Sequence, residues 1–372
     1  MLKVGITGQQ GFVGQHLYNT LGISSEPFER IEFQRGYFED NLLLNDFVSR
    51  CDVIVHLSAV NRHDDPHLIY DQNLELVHKL IKALVDTNSK AHVLFSSSTQ
   101  EERDSLYGKS KKEGRELLAN WAHNSDGKFT GLIIPNVFGP FGHPFYNSFI
   151  ATFCRQLIDG ENPTINEDGE VNLIYVDELV TCIIKAITLQ ESNPLYIVQP
   201  TSKIKVSEVL NRLENFKSLY LACGVIPELK NRFELNLFNT FRSYIDHTSM
   251  FPIKLKEHSD ARGSFVEIVR LGVGGQVSFS TTLPGVTRGN HFHSRKIERF
   301  AVIRGEALIQ LRKIGTSKIF AFRLSGDNPS YVDMPIWFTH NIRNVGNEEL
   351  YTIFWINECF DINDPDTYMD TV

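Results

Sequence analysis

Two groups of residues in this chain have the types and spacing that chemistry needs. Tyr107 and Lys111 stand four positions apart at the start of a helical pattern, so their side chains share one face. A phenol with an ordinary pKa near ~10 is a poor acid–base catalyst at neutral pH, and a neighbouring ammonium lowers that pKa by favouring the phenolate. Upstream, Phe95-Ser96-Ser97-Ser98 closes a strand-like run. Ligands approach parallel sheets at that edge, so Ser98 is placed to bond the same substrate oxygen as Tyr107. The second group is His291-x-His293 with Glu298, and His340 in Pro335-x-Trp337-x-x-His340. Residues two apart on a strand face one way, so His291 and His293 converge, and a turn can bring Glu298 back from the next strand. Three imidazoles and a carboxylate suit a divalent first-row metal.

A third feature supports the first. Gly8, Gly11 and Gly14 form GxxGxxG directly after a strand-like run and open a helix. Glycines there allow a tight turn and a close approach of backbone to a pyrophosphate, whose charge rests at the helix N-terminus.

The elements that carry these residues come in two textures. Up to about residue 220, short apolar runs (2–6, 52–57, 91–95, 129–134) alternate with amphipathic stretches (69–87, 107–122, 176–189). Leu74, Val77, Ile81 and Leu84 recur at helical spacing. Strand and helix in alternation predict an α/β fold with a Rossmann-like, doubly wound parallel sheet. From about residue 253, β-branched and aromatic strands follow one another closely. Turn signals separate them at Arg262-Gly263, Gly274-Gly275, Pro284-Gly285, Arg304-Gly305 and Gly346-Asn347. That is the texture of an all-β barrel or sandwich. Residues 227–252 read as the connection, and the expected domains are 1–247 and 248–372.

Composition bounds the partners. The 372 residues carry 37 Lys+Arg against 45 Asp+Glu, a formal net charge of −8. That balance argues against a nucleic acid polymer or an anionic membrane as the main partner. No apolar run approaches the ~20 residues of a membrane helix, so no membrane insertion is expected. Met1-Leu2-Lys3 leads directly into the first strand, leaving no room for a signal peptide. Five scattered cysteines without a CxxC indicate a reducing, cytoplasmic setting.

The N-terminal residues resemble the extended short-chain dehydrogenase/reductase family, which contains nucleotide-sugar epimerases and reductases. The matching pieces are Thr7-Gly8-x-x-Gly11-x-x-Gly14, His56-Leu57-Ser58-Ala59, Asn73, Ser96-Ser97-Ser98, Tyr107-x-x-x-Lys111 and Pro135-Asn136-Val137-Phe138-Gly139-Pro140. The resemblance implies that Tyr107 is the general acid, that Lys111 holds the nicotinamide ribose and tunes Tyr107, and that Ser98 positions a keto group. It places Gly8, Gly11, Phe12, Val13, Gly14, Leu57, Ser58, Ala59, Asn73, Ser96 and Lys111 at the cofactor, and Ser97, Ser98 and Asn136 at the substrate. The chain departs from the family in two ways. The stretch from Ser98 to Tyr107 is short, and no clear acidic residue closes the second strand, where Arg30 or Arg35 would favour the 2′-phosphate of NADPH.

The C-terminal residues resemble the two cupin motifs, with Trp337 standing where glycine is usual. The resemblance implies His291, His293, Glu298 and His340 as ligands, zinc being the expected ion among those that imidazole-rich sites accept. A reductase fused in this order to a cupin resembles the CapF (WbjC-type) family of bifunctional capsular-polysaccharide enzymes. Val60-Asn61-Arg62, the segment from Tyr146 to Cys154, Asp260-Ala261-Arg262-Gly263-Ser264-Phe265 and Asp364-Pro365-Asp366-Thr367-Tyr368 extend that likeness. It implies two steps on a UDP-linked 2-acetamido-2,6-dideoxy-4-ketohexose: C3 epimerisation by the cupin, then NADPH-dependent C4 reduction. The product would be a UDP-2-acetamido-2,6-dideoxy-L-talose, on the route to N-acetyl-L-fucosamine, made by a homodimer. The C3 proton carrier is open among Glu298, Tyr351 and Lys296. Two other readings remain: a one-step reductase with a structural metal cupin, and a non-catalytic NADPH or sugar sensor. An intact Ser98, Tyr107 and Lys111 weighs against the sensor.

Overall fold

The computed structural model describes residues 1–261 and 263–372; Arg262, half of the expected Arg262-Gly263 turn, lies outside the described residues. The chain divides into two compact units, residues 1–152 with 165–208, and residues 153–164 with 209–372. Helix gives way to strand between Met250 and Ile253, so the helical stretch 209–250 shares a unit with the strands that follow it.

The first unit contains β1 (Leu2–Thr7), β2 (Phe28–Ile31), β3 (Val53–His56), β4 (His92–Ser98), β5 (Lys128–Ile134), β6 (Asn136–Phe138), β7 (Glu170–Tyr175), β8 (Asn193–Ile197) and β9 (Ser202–Lys205). Six of these form a parallel sheet in the order β2-β1-β3-β4-β5-β8, while β6, β7 and β9 make a smaller one. The helices are α1 (Phe12–Ile23), α2 (Asn41–Ser49), α3 (Pro66–Asp86), α4 (Leu106–His123), α5 (Phe149–Ile158) and α6 (Val176–Leu189). α5 runs across the division between the units.

Strand alternation decides which helix covers which face. Ile54, Val93, Phe95 and Phe129 pack with Leu44, Phe47, Leu80 and Leu118 from α2, α3 and α4. Val53, Val55, Leu94 and Leu132 pack with Leu17, Leu179 and Ile183 from α1 and α6. With both faces covered, β3 is buried at every residue, which is why it reads as an unbroken apolar run. α3 begins three residues before the apolar period starts, because Asp65 accepts the His67 N–H at 2.9 Å and Pro66 opens the helix. Strand order reverses beside β1, and the carboxyl ends of β1 and β3 there frame the crevice where open α/β sheets bind ligands.

The second unit contains most of α7 (Val206–Phe216), then α8 (Arg232–Arg242), α9 (His247–Met250) and a run of strands. These are β10 (Ile253–Lys254), β11 (Glu257–Asp260), β12 (Gly263–Val266), β13 (Gln276–Thr282), β14 (Thr287–Phe292), β15 (Glu298–Arg304), β16 (Glu306–Lys313), β17 (Ile319–Ser325), β18 (Ser330–Met334), β19 (Phe338–Asn344), β20 (Leu350–Ile356) and β21 (Tyr368–Met369). Two five-stranded antiparallel sheets result, ordered β10-β18-β15-β20-β13 and β17-β16-β19-β14-β21. Gly285 and Gly305, at expected turns, take φ of +77° and +85°, where other residues are strained.

The helical stretch docks on the first of these sheets through a buried charge network. Arg299 makes a bidentate pair with Asp333 at 2.7 and 3.0 Å, with neither side chain more than 2% exposed. The Tyr220 hydroxyl donates to Asp333 at 2.7 Å, and Arg242 donates to the Met334 carbonyl at 3.2 Å. Breaking such a pair strands a charge away from water. Asp333→Asn is expected to cost about 3–5 kcal/mol in denaturant titrations, and an Arg299→Met/Asp333→Leu double variant clearly less. A double variant as unstable as the single one would show that packing, not the unpaired charge, sets the cost.

Candidate active site and metal centre

The glycine-rich turn sits at the carboxyl end of β1. Gly8 has φ +76°, and a Cβ there would lie 2.9 Å from the Ser58 nitrogen; a Cβ on Gly14 would collide with the Gly8 carbonyl. The turn is thus closed against the Leu57-Ser58-Ala59 segment, and α1 starts at Phe12 with no acidic residue in its first turn. This leaves a helix N-terminus free of competing negative charge, the arrangement that suits a pyrophosphate. Arg30 stacks on Tyr18 at 4.3 Å and donates to the Tyr18 carbonyl at 3.1 Å, so it is engaged with α1. Arg35 is exposed at the start of a 3₁₀ turn, Arg35–Glu39.

Ser98, Tyr107 and Lys111 come together at the end of β4. Ser105 accepts the Gly108 N–H at 3.1 Å and so fixes the start of α4, setting Tyr107 in its first turn. Lys111 is 3% exposed and donates to the Ser96 carbonyl at 2.8 Å. Burial pushes its ammonium down to about 8, and the Glu101 carboxylate partly offsets this. Tyr107 is pushed up to about 12 by burial first and by Tyr146 second, with the Ser98 hydrogen bond acting the other way. The expected lowering of Tyr107 by Lys111 is therefore not what the geometry produces: the ammonium is spent on a carbonyl, 5.8 Å from the Tyr107 ring centre. The phenol stays protonated at neutral pH.

The short stretch from Ser98 to Tyr107 is folded as a 3₁₀ turn, Thr99–Glu102. It is anchored by Glu101, which takes a bidentate pair from Arg115 at 2.8 and 2.8 Å and the hydroxyl proton of Ser97. Ser97 therefore faces the opposite side of β4 from Ser96 and Ser98, buried and away from Tyr107. Ser96 donates to the His56 carbonyl at 3.1 Å. Asn73 clamps Val60 through both backbone groups, at 2.7 and 3.0 Å, and donates to Ser110 at 3.1 Å. It supports the site from beneath. Asn136 is exposed on β6 and donates to the Asn172 carbonyl at 3.4 Å.

In the second unit His291, His293, Glu298 and His340 each offer one ligand atom, all within 4.8 Å of one another. A bulge before His291, with Asn290 at φ +61°, sets His291 opposite His340 on β19. Glu298 opens β15 in the other sheet, so the set spans both sheets. Glu298 Oε2 lies 3.1 Å from His293 Nε2 and 3.2 Å from His340 Nε2, yet these buried atoms lack the angles of a hydrogen bond. Burial pushes the Glu298 carboxyl up, and the two imidazoles more than offset this, holding it ionised. His291 is pushed down to about 4, by burial and then by the neighbouring imidazoles. A converging, buried and unsatisfied N₃O set of this kind fits a divalent metal.

The role of one contributor was missed in the sequence. Asp366 accepts His293 Nδ1–H on its backbone carbonyl at 2.5 Å, which leaves Nε2 as the ligand atom. Its carboxylate accepts the N–H groups of Ser294, Arg295 and Lys296 at 3.1, 3.0 and 3.0 Å. Trp337, in the place of the usual glycine, adopts φ +60° and stays 3% exposed, its N–H donating to the His293 carbonyl at 2.8 Å. The loop shape that glycine would allow is thus kept by a tryptophan packed against Phe292. Lys296 donates to the Pro365 carbonyl at 2.9 Å and Tyr351 to Glu349 at 3.1 Å, so both candidate proton carriers are engaged elsewhere.

Fold and sites define a short-chain dehydrogenase/reductase unit followed by an antiparallel all-β unit. The NAD dependent epimerase/dehydratase family matches residues 4–198, and the polysaccharide biosynthesis C-terminal domain matches residues 258–368. A UDP-2-acetamido-2,6-beta-L-arabino-hexul-4-ose reductase of Pseudomonas aeruginosa is 35% identical over 100% of this chain and 99% of its own. The crystal structure of the capsular polysaccharide assembling protein CapF from Staphylococcus aureus is 34% identical, with a TM-score of 0.63 and full coverage of both chains. The structure of RMD from Pseudomonas aeruginosa complexed with NADPH is 20% identical, covering 59% of this chain and 83% of its own, a likeness of fold alone at TM-score 0.53. The chain belongs to the NAD dependent epimerase/dehydratase family and, over its whole length, to the CapF family.

The metal set makes a direct expectation. Cobalt(II) added to the metal-free protein should give the intense visible absorption of a tetrahedral site, and His340→Ala should abolish it. Asp366→Ala keeps the carbonyl that meets His293 but loses the carboxylate that fixes the adjoining loop, and should weaken metal affinity by about 10-fold. Equal affinity in that variant would show that the carboxylate does not hold the His293 contact in place.

Proposed function

We propose that this chain is a cytoplasmic, homodimeric nucleotide-sugar enzyme of surface-polysaccharide synthesis that epimerises C3 and then reduces the C4 ketone of a UDP-2-acetamido-2,6-dideoxy-4-hexulose. The product is UDP-2-acetamido-2,6-dideoxy-L-talose, precursor of UDP-N-acetyl-L-fucosamine. Residues 1–247 carry the reductase and 248–372 the cupin epimerase. One observation carries the reading: the Ser98–Tyr107–Lys111 cluster and the His/Glu set occur together in a chain alike over its full length to a UDP-keto-sugar reductase.

NADPH, held by the glycine turn, Leu57–Ala59 and Lys111, supplies the hydride when bound. The protein supplies placement and a proton. Ser98 Oγ holds the C4 oxygen, and Tyr107, kept as O–H by its raised pKa, protonates that oxygen as the alkoxide develops. Lys111, tied to the Ser96 carbonyl, places a positive charge beneath the site. At the second site His291, His293, Glu298 and His340 hold the metal, expected to be zinc, which supplies Lewis-acid stabilisation of a C3–C4 enolate when bound. The C4 ketone acidifies the C3 proton, so epimerisation precedes reduction.

Tyr107→Phe should cut NADPH oxidation with the 4-keto sugar by about 10²–10⁴-fold. In deuterated water the same variant should still exchange the C3 proton, while His291→Ala should not. Absence of exchange in the unaltered protein would leave a one-step reductase with a structural metal site.

Lys111 also sets a pH dependence. Its charge is present below about 8 and lost above it, so kcat/KM for reduction should fall as pH rises through that value. Glu101→Gln removes the group that raises Lys111, which should move the fall to lower pH. An unmoved alkaline limb would assign it to another group.

A further inference from the structure

Two pieces of this sequence, Val60-Asn61-Arg62 and the segment starting at Tyr146, lie outside the cofactor and metal sets named above, yet they meet in the fold. The Asn61 N–H donates to the Tyr146 hydroxyl at 3.1 Å. Arg62 Nη1 donates to the carbonyls of Phe145 and Tyr146, at 2.6 and 3.4 Å. The two loops are thus strapped together, and the strap is referenced to the catalytic helix. Asn73 grips both backbone groups of Val60 and donates to Ser110 at 3.1 Å, and Ser110 donates to the Tyr107 carbonyl at 2.8 Å.

The direction of the Asn61 bond matters. A phenol has one proton to give, and the Tyr146 oxygen here receives a hydrogen bond. Its own proton is committed to no described residue. The side chain is 37% exposed, so a ligand can reach it. Burial first and Tyr146 second push the Tyr107 phenol up, in line with the bonded chain that runs from the Tyr146 loop through Val60, Asn73 and Ser110 to Tyr107.

We infer that Tyr146 is a specificity residue of the reductase: its hydroxyl donates to the oxygen on the carbon adjacent to the ketone, and so reads the configuration there. The inference rests on the reductase reading of Tyr107. Of the two carbons flanking C4 in a 6-deoxy-4-ketohexose, C5 carries a methyl group and C3 carries a hydroxyl. C5 also bears the ring oxygen, but a hydroxyl is the better acceptor, and C3 is the flanking carbon whose hand the epimerisation changes. A hydroxyl of the wrong hand at C3 leaves that donor without its acceptor, and the sugar binds less well. The reductase then selects the epimerised ketone.

The test uses the full-length protein with saturating NADPH and two substrates, the UDP-linked 4-keto sugar and its 3-deoxy analogue. In the unaltered protein the analogue should have a KM about tenfold higher, the worth of one hydrogen bond to a neutral group. Tyr146→Phe should raise KM for the natural ketone by about the same factor and leave the two sugars indistinguishable, with NADPH affinity and thermal midpoint unchanged. Arg62→Ala, which loosens the strap but keeps the hydroxyl, should preserve the discrimination. The proposal is overturned if Tyr146→Phe penalises both sugars equally, or if its KM stays within twofold of the unaltered protein. No turnover of either sugar by the unaltered protein would overturn the reductase reading itself, and Tyr146 with it.

Discussion

The cost of taking a charge out of water organises both units of this chain. An ammonium or carboxylate can be buried only where another group meets it. In the first unit that constraint ties Lys111 to the Ser96 carbonyl and Glu101 to Arg115 and Ser97, so one strand end supports two buried charges on its two sides. The geometry of the Ser98–Tyr107–Lys111 cluster follows from it: α4 cannot shift without stranding Lys111, and the loop from Ser98 to Tyr107 cannot open without stranding Glu101. In the second unit the same constraint locks Arg299 to Asp333. At the His/Glu set two imidazoles hold the Glu298 carboxylate ionised without the angles of a hydrogen bond, a donor set that fits a divalent cation.

The two sites differ in how backbone presents them. The parallel sheet gathers its chemistry at one edge, since every strand points the same way and each βα turn delivers residues there. The glycine turn, Leu57–Ala59 and Ser96–Ser98 are successive products of that rule. The antiparallel unit has no such edge. It brings ligands from strands of two sheets, with a bulge at Asn290 correcting the aim of one of them. Side-chain direction there depends on pairings far apart in sequence.

That difference explains what could be read in advance. The parallel sheet, its helices and the Gly8, Tyr107, Lys111 and Ser98 positions were legible because each rests on local spacing. α6 falls where the apolar period puts it, at Val176–Leu189. Ser97 went to the substrate in the sequence reading, although strand alternation turns it away from Ser96 and Ser98. The helices α8 and α9 lay hidden in a segment read as connection, where short amphipathic runs are broken by capping residues Asn231 and Asp246. Asp366 and Tyr146 stood in segments that carry the family likeness, but their roles were not legible. Their partners lie 73 and 85 positions away, and no local pattern marks such contacts. The dominance of burial over the Lys111 charge at Tyr107 was equally invisible, since it depends on how deeply the phenol sits.

The bond from His293 to Asp366 has a consequence for how the protein is made. β21 pairs with His291 and Phe292, so β14, which carries His291, gains this neighbour only after residue 369 has been added. A ribosome emitting this chain releases the whole parallel sheet long before that moment. The parallel sheet can therefore mature while the His/Glu set is still half-built, before the Asp366 carbonyl arrives to turn His293. The orientation of His293 is thus settled by a carbonyl made 73 positions after the histidine itself.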